Sequence, residues 1–255
     1  MYMSELRSAY ERFAYGDLDF DGAHVLDAAT GSGVTTLRLA QLVRNAGDGT
    51  ILSVDLGADT RVVRRRLGDL GRFVSFRKAD ISNLSAISDV SFDIVVCHLT
   101  LSAVARRPLA AHRTLIEFNR VLAPGGALVV VDEVAMPKTK ASRYSLQVRC
   151  RNLMKALAHI VGERTCVELD PTEICDSLST IGFTDVTYRR FPGSQLTSGT
   201  MQEWTRTMRS WTKRVRRPDL KRAFRSEIAS ILDEYASSGG HLPPTYVVKA
   251  RKGED

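Results

Sequence analysis

VLDAATGSGVTT, residues 25–36, is the stretch on which the reading of this chain turns. An apolar pair runs into an acid, Asp27, and a Gly-x-Gly turn at Gly31 and Gly33 then opens a helical pattern. Glycines between a buried strand and a helix let the backbone approach a ligand closely, and the helix N-terminus behind them favours negative charge. The bend therefore reads as a ligand grip.

Working outward, HVLDAA reads as a buried strand, and VTTLRLAQLVRN as a helix with Leu37, Ala40 and Val43 along one face. ILSVD is a second strand. DTRVVRRRLGDL is a helix with Val62, Val63, Leu67 and Leu70 inward and its arginines outward. FVSFRKAD is a third strand, and FDIVVCHLTLS a fourth, nearly all apolar as a strand covered on both faces must be. PLAAHRTLIEFNRVL is a helix, and ALVVVDEV a fifth strand. This order calls for a parallel sheet with helices on both faces, and right-handed crossovers put every strand's C-terminal end along one edge. Asp55, Asp80, His98, Asp132 and Glu133 all fall at or near that edge.

After residue 135 the pattern turns helical. ASRYSLQVRCRNLMKALAHIV has one amphipathic face, and PTEICDSLSTIG opens on a proline and closes at Gly182. FTDVTYRRF and TYVVKARK are the sixth and seventh strands, separated by about fifty residues that are mostly helical and basic.

The 255 residues are 44% hydrophobic and 25% charged, which is enough apolar mass for a sizeable core. No apolar run is long enough to span a bilayer, and the charged opening MYMSELRSAYERF does not suit a signal peptide. A cytoplasmic protein is expected. The cysteines at 97, 150, 166 and 175 form no C-x-x-C pair, and no histidine spacing suggests zinc; free thiols and no metal are expected. Net charge is +7, which admits nucleic acid, an anionic membrane face or an acidic small molecule as partner.

Asp55 ends the second strand, where a carboxylate suits a ribose diol, so the ligand reads as a nucleoside-containing cofactor. A dinucleotide turn needs a third glycine, and Thr36 or Thr35 stands there instead. Asp27 is also ill placed beside a pyrophosphate. It suits a ligand with a positive end, such as the amino group and sulfonium of S-adenosylmethionine. No Tyr-x-x-x-Lys pair speaks for a dehydrogenase.

With these residues in view, the sequence resembles the class I S-adenosylmethionine-dependent methyltransferases. VLDAATGSG matches their first motif, SVD and KAD carry the acids after strands two and three, and RVLAPGGALVVVDE matches the approach to strand five. The resemblance implies a single α/β domain over residues 1–255. Its expected architecture is a Rossmann-like seven-stranded sheet, mostly parallel with the last strand antiparallel, plus a helical cap from about 136–182 and 193–244. It implies that Asp27 and the turn through Ala29, Thr30, Gly31 and Gly33 contact the methionine portion. Asp55 would hold the ribose hydroxyls with Leu56 also at the cofactor, Asp80 would meet the adenine amine with Ile81 on the ring, and His98, Leu99 and Thr100 would floor the sulfonium. Loop capping is the plainer role for Asp55 and Asp80.

The fourth strand lacks the [N/D]-P-P-[F/Y/W] of amino-methylating nucleic-acid enzymes and the Pro-Cys nucleophile of the cytosine-C5 type. DAATGSG and EFNRVLAPGG are similar to the quinone-biosynthesis and small-molecule methyltransferases, so the resemblance favours a small anionic or hydrophobic acceptor. His98 and Glu133 are the candidate bases, with Asp132 beside them; each also fits plain packing or capping, and His112 reads as a surface residue. Tyr10, Phe13 and Tyr15 on the opening helix fit either a lid or packing on the sheet.

Residues 206–225 hold nine Lys/Arg and one acid, Asp219, while Trp204 with Trp211 and Met201 with Met208 share a helix face. That face fits a roof over a substrate pocket or simple packing. The cations fit an anionic substrate, an RNA backbone, an anionic lipid surface, or solvent. An RNA methyltransferase and a non-catalytic S-adenosylmethionine-binding module stay open as alternatives.

Overall fold

The computed structural model describes residues 2–135 and 143–254. Helix α1 is Tyr2–Tyr15. The alternation then runs β1 (Ala23–Ala28), α2 (Val34–Ala46), β2 (Gly49–Asp55), α3 (Thr60–Leu67), a 3-10 turn (Gly68–Phe73), β3 (Val74–Lys78) and β4 (Phe92–His98). Helices α4 (Leu101–Val104) and α5 (Ala110–Val121) lead to β5 (Leu122–Glu133). Helices α6 (Ser145–Val161) and α7 (Pro171–Ile181), β6 (Phe183–Phe191), α8 (Ser198–Arg214), α9 (Pro218–Ser238) and β7 (Thr245–Lys252) complete the chain.

The seven strands form one sheet in the order β3-β2-β1-β4-β5-β7-β6, with β7 antiparallel. β1 lies parallel to β2 on one side and β4 on the other, so the strand order reverses there. A crevice opens beyond the carboxyl ends of strands at such a reversal. The strands that flank it, β1 and β4, have apolar centres rich in valine: Val25, Leu26, Val95, Val96 and Cys97 are fully buried. Each such side chain contributes about 1.5–3 kcal/mol by leaving water, which holds the crevice rigid.

Chain contacts divide the molecule into two units. One holds Met1–Glu133, Glu168–Phe191 and Tyr246–Asp255, and the other Val134–Val167 and Pro192–Thr245. In the second unit, α6, α8 and α9 pack around Leu146, Cys150, Leu157, Met201, Met208 and Ile231. Arg149 of α6 ties to Glu227, Ser230 and Glu234 of α9.

Several expectations change. α7 packs on α5 and β6, so it belongs to the sheet unit, where the sequence placed it in the cap. Its amphipathic face serves as a crossover between β5 and β6. Residues 136–142, the expected start of the cap, lie outside the described residues. Val62 is 51% exposed, whereas Val63 and Leu67 are buried. In a helix of eight residues only the i, i+4 pair shares the inward line. β5 begins at Leu122, ahead of the expected ALVVVDEV, because Phe92 pairs with Leu122 before a register shift brings Ile94 to Ala127. The shared face of Met201, Trp204, Met208 and Trp211 is spent on the α6–α8–α9 core.

Candidate active site

Asp27, next to last in β1, is fully buried and in register with Ser53 of β2. Its Oδ2 accepts hydrogen bonds from Thr36 Oγ1 at 2.6 Å and Ser53 Oγ at 2.7 Å. Its Oδ1 is equally buried and has no hydrogen-bond partner. Burial pushes the carboxyl above the usual range, against the two hydroxyl donors that pull it down. A buried acceptor without a donor is costly, and at a ligand crevice it marks where a donor is to arrive.

The turn beyond it is built for close approach. The Ala29 and Thr30 N–H groups both donate to the Val54 carbonyl, and Gly33 N–H donates to Thr30 O. Ala29, Gly31 and Gly33 have φ of 91°, 49° and 78°. A Cβ on Gly33 would stand 2.5 Å from Val63 Cγ1, so this glycine also sets how closely α2 and α3 meet. Thr30 Oγ1 shares a hydrogen bond with Ser53 Oγ at 2.7 Å.

Asp55 bridges two loops. Its Oδ2 accepts from Gly31 N–H at 2.9 Å, and its Oδ1 from the Gly57 and Ala58 N–H groups. The loop-capping role is thus real; Oδ1 is saturated by its two donors, and Oδ2 keeps a further lone pair. Asp80 is gripped by Arg107 through two bonds of 2.7 and 3.0 Å, and by the Ser82 N–H and hydroxyl. The Arg107 guanidinium leads in holding this carboxyl down at about 2. Ala29, Asp55, Leu56, Asp80, Ile81 and Thr100 line one cavity of about 160 Å³. Asp55, Asp80 and Ile81, expected at the ribose and adenine, come together there with Leu56, and also with Ala29 and Thr100, expected at the methionine and sulfonium end.

His98 ends β4 half-buried, with its ring edge-on to Tyr10 at 6.4 Å between centroids. Burial lowers its pKa to about 4, so the imidazole is neutral at pH 7. Leu99 follows at φ 53°, its N–H held by the Val131 carbonyl and its side chain exposed. Thr100 Oγ1 donates back to His98 O. Asp132 is buried and accepts from Ser102 N–H and Oγ at the start of α4, which makes it a helix cap. Its neighbour Glu133 is half-buried, and its N–H donates to Asp132. His112 is exposed. Tyr10 and Phe13 pack on Phe191, the end of β6.

Sequence reasoning passed over Ser53 and Arg107, and weighed Thr36 only as a missing glycine. The signal for Ser53 was its place two residues before Asp55, which parallel pairing sets opposite Asp27.

A sheet of this order, a glycine turn after its first strand and acids after the next two define a Rossmann-like protein that binds a nucleoside-bearing cofactor. The chain belongs to the class I S-adenosylmethionine-dependent methyltransferases: the family model described as a methyltransferase domain matches residues 19–209. It is similar to the ubiquinone/menaquinone biosynthesis C-methyltransferase UbiE of Coxiella burnetii, 29% identical over 184 residues, 68% of this chain and 71% of that one. It is also 35% identical to the arsenite methyltransferase of Aquipseudomonas alcaligenes over 123 residues, 45% of this chain but only 34% of that one. In fold it resembles a phosphoethanolamine N-methyltransferase of Haemonchus contortus solved with S-adenosylhomocysteine, at TM-score 0.57 and 14% identity, over 98% of this chain and 52% of that one.

The residues present fit this family's cofactor, S-adenosylmethionine. The unpartnered Asp27 Oδ1 meets the need of a cationic amino group, and the open backbone of Gly31 leaves room for it. Among the described residues no three His, Cys, Asp or Glu side chains are grouped to hold a metal.

Proposed function

We propose that this chain methylates a small, anionic or hydrophobic metabolite at the edge of β4 and β5. The observation that carries the reading is Asp27, buried with one oxygen held by two hydroxyls and the other left for a cationic donor. When bound, S-adenosylmethionine supplies an activated methyl group on a sulfonium. Asp27 and the turn Ala29, Thr30, Gly31 and Gly33 hold its amino-acid end. Asp55 and Leu56 hold the ribose, and Asp80 and Ile81 the adenine, with the Arg107 clamp keeping the Asp80 carboxylate ionised.

His98 and Leu99 line the reacting end. In-line displacement asks chiefly for alignment and exclusion of water. For a carbon or hydroxyl acceptor, a ring nitrogen of neutral His98 accepts the proton that leaves, and Glu133 is the second proton acceptor. Asp132 positions Glu133 and α4. The name of the Coxiella relative, a quinone-biosynthesis C-methyltransferase, supports a hydrophobic ring acceptor. Arsenite is a poorer candidate because soft centres need grouped thiolates, and among the described residues no three His, Cys, Asp or Glu side chains are grouped.

The reading is tested by calorimetry with S-adenosylhomocysteine and a nicotinamide dinucleotide, followed by methyl-label transfer to a panel of quinols, phenols and carboxylates. Binding of the first with transfer to a member of the panel supports it. Binding of the dinucleotide alone sinks it, and transfer to RNA in place of the small acceptors would establish the docking alternative for residues 206–225.

A further inference from the structure

Arg61 and Arg65 of α3 make no contact with the site described, whereas Arg66 braces its glycine turn. Residues 60–78 carry seven Lys/Arg and one acid, Asp69, in a chain whose net charge is +7. Four of these cations, Arg61, Arg64, Arg65 and Arg66, sit on the eight residues of α3, and all are exposed. Arg61 has 89% of its side chain in solvent and pairs with Asp59, its own helix cap.

The same corner exposes aliphatic side chains. Val34, the first residue of α2, is 60% exposed, and Val62 of α3 is 51% exposed. The turn that leads into Val34 is in direct contact with α3. Arg66 Nη1 donates to the Ser32 carbonyl at 2.7 Å, and Gly33 lies against Val63. Leu109, at the start of α5 on the same edge of the sheet, is 65% exposed beside exposed Arg106.

We infer that this corner, residues 32–34 against α3, docks the protein on an anionic lipid surface, with Arg61 and Arg65 among the headgroups and Val34 and Val62 in the interfacial layer. Clustered arginines with exposed aliphatics between them have the composition of an interfacial membrane contact. Nucleic acid is disfavoured because a single-stranded partner needs exposed rings for stacking. On this face Phe76 is covered by Arg64 and Phe73 by Arg72, each guanidinium 4.7 Å from the ring. The other basic stretch, 206–225, has the charge without the aliphatics: no large apolar residue of the insertion is among the exposed ones described, and its apolar face is in the α6–α8–α9 core. The inference goes beyond the methyl-transfer reading and gives a hydrophobic acceptor a place of supply, since such a compound dissolves in the bilayer beside the cofactor edge.

The test is co-sedimentation with vesicles of phosphatidylcholine alone and of phosphatidylcholine mixed with phosphatidylserine. Full-length protein is compared with Arg61→Glu/Arg65→Glu, with Val62→Ser, and with Arg206→Glu/Arg209→Glu. Binding is expected only to the anionic vesicles and is expected to weaken with salt. The α3 double variant should lose about tenfold or more in partitioning, the serine variant a smaller part, and the α8 variant little. S-adenosylhomocysteine affinity measured on each variant shows that the fold stands, and it keeps failure here distinct from failure of the cofactor assignment. No binding to anionic vesicles overturns the inference. So does vesicle binding governed by the α8 arginines, or binding of a single-stranded RNA, lost in Arg61→Glu/Arg65→Glu, with vesicles ignored.

Discussion

Arg107 closes on Asp80 through two parallel hydrogen bonds, 2.7 Å from Nη1 to Oδ2 and 3.0 Å from Nη2 to Oδ1. The guanidinium fork matches the carboxylate, and Ser82 adds two more donors to the same oxygen. The pair links the loop after β3 to the segment between α4 and α5, so it braces both walls of the cavity lined by Asp55, Asp80 and Ile81.

This clamp sets a stability limb in acid. The folded pKa of Asp80 is about 2, below the ordinary carboxylate value, so its contribution is complete above pH 4 and fades as pH falls towards 2. Both partners are partly exposed, which reduces the pair to about 1 kcal/mol. Arg107→Leu should remove that much and weaken S-adenosylhomocysteine binding through a loosened loop. Denaturant melts at pH 7 and pH 3 check it: the gap between wild type and variant should shrink at the lower pH.

Asp27 behaves in the opposite sense. Its folded pKa is raised, so ionisation opposes folding of the free protein and is welcomed once a cationic amine arrives. Cofactor affinity should therefore fall as pH drops through that raised value, in a range where ordinary carboxylates are still charged. Asp27→Asn should weaken S-adenosylhomocysteine binding by about 2 kcal/mol and flatten the pH dependence. Titration calorimetry across pH 4–8 reads both effects; an unchanged slope in the asparagine variant would show that Asp27 does not meet the amine.

Much of this arrangement was legible in the sequence. Strand-long runs of β-branched residues and regular α/β alternation place the sheet, and the acids at strand ends follow from counting. What local pattern does not carry is pairing across the chain. Nothing near residue 80 announces Arg107, because a 27-residue reach depends on how the loop after β4 folds back. The same holds for Trp204 and Trp211, where periodicity marks an apolar face but not which partner covers it. α7 looked like cap because a helix after β5 is read from its own amphipathicity, while its true partners α5 and β6 lie on either side in the chain.

His98 predicts a second pH effect. Its folded pKa of about 4 lies below the unfolded value near 6.5, so between those pH values the unfolded chain holds more protons and stability rises with pH. The contribution is on the order of 2 kcal/mol, present above pH 6.5 and lost as pH falls towards 4. His98→Leu should flatten stability across that window in urea melts. If His98 is the base, His98→Ala should lower kcat by about 10²-fold or more with little change in cofactor affinity, and the wild-type rate should lack a limb near pH 6.5.

Gly33 tests the packing that shapes the turn. Its φ of 78° disfavours any residue with a Cβ, and that Cβ would stand 2.5 Å from Val63 Cγ1. Val63 is buried on α3 and cannot swing away. Gly33→Ala therefore combines backbone strain with overpacking, for a loss of about 2–3 kcal/mol. Adding Val63→Ala removes the clash but leaves the φ strain and opens a small void, so the double variant should recover only part of the loss. Because Gly33 N–H also closes the turn on Thr30 O, the single variant should weaken S-adenosylhomocysteine binding as well as the fold. Thermal melts with and without S-adenosylhomocysteine separate the two: a variant that melts early yet gains the full wild-type increment from ligand would show that Gly33 serves packing alone.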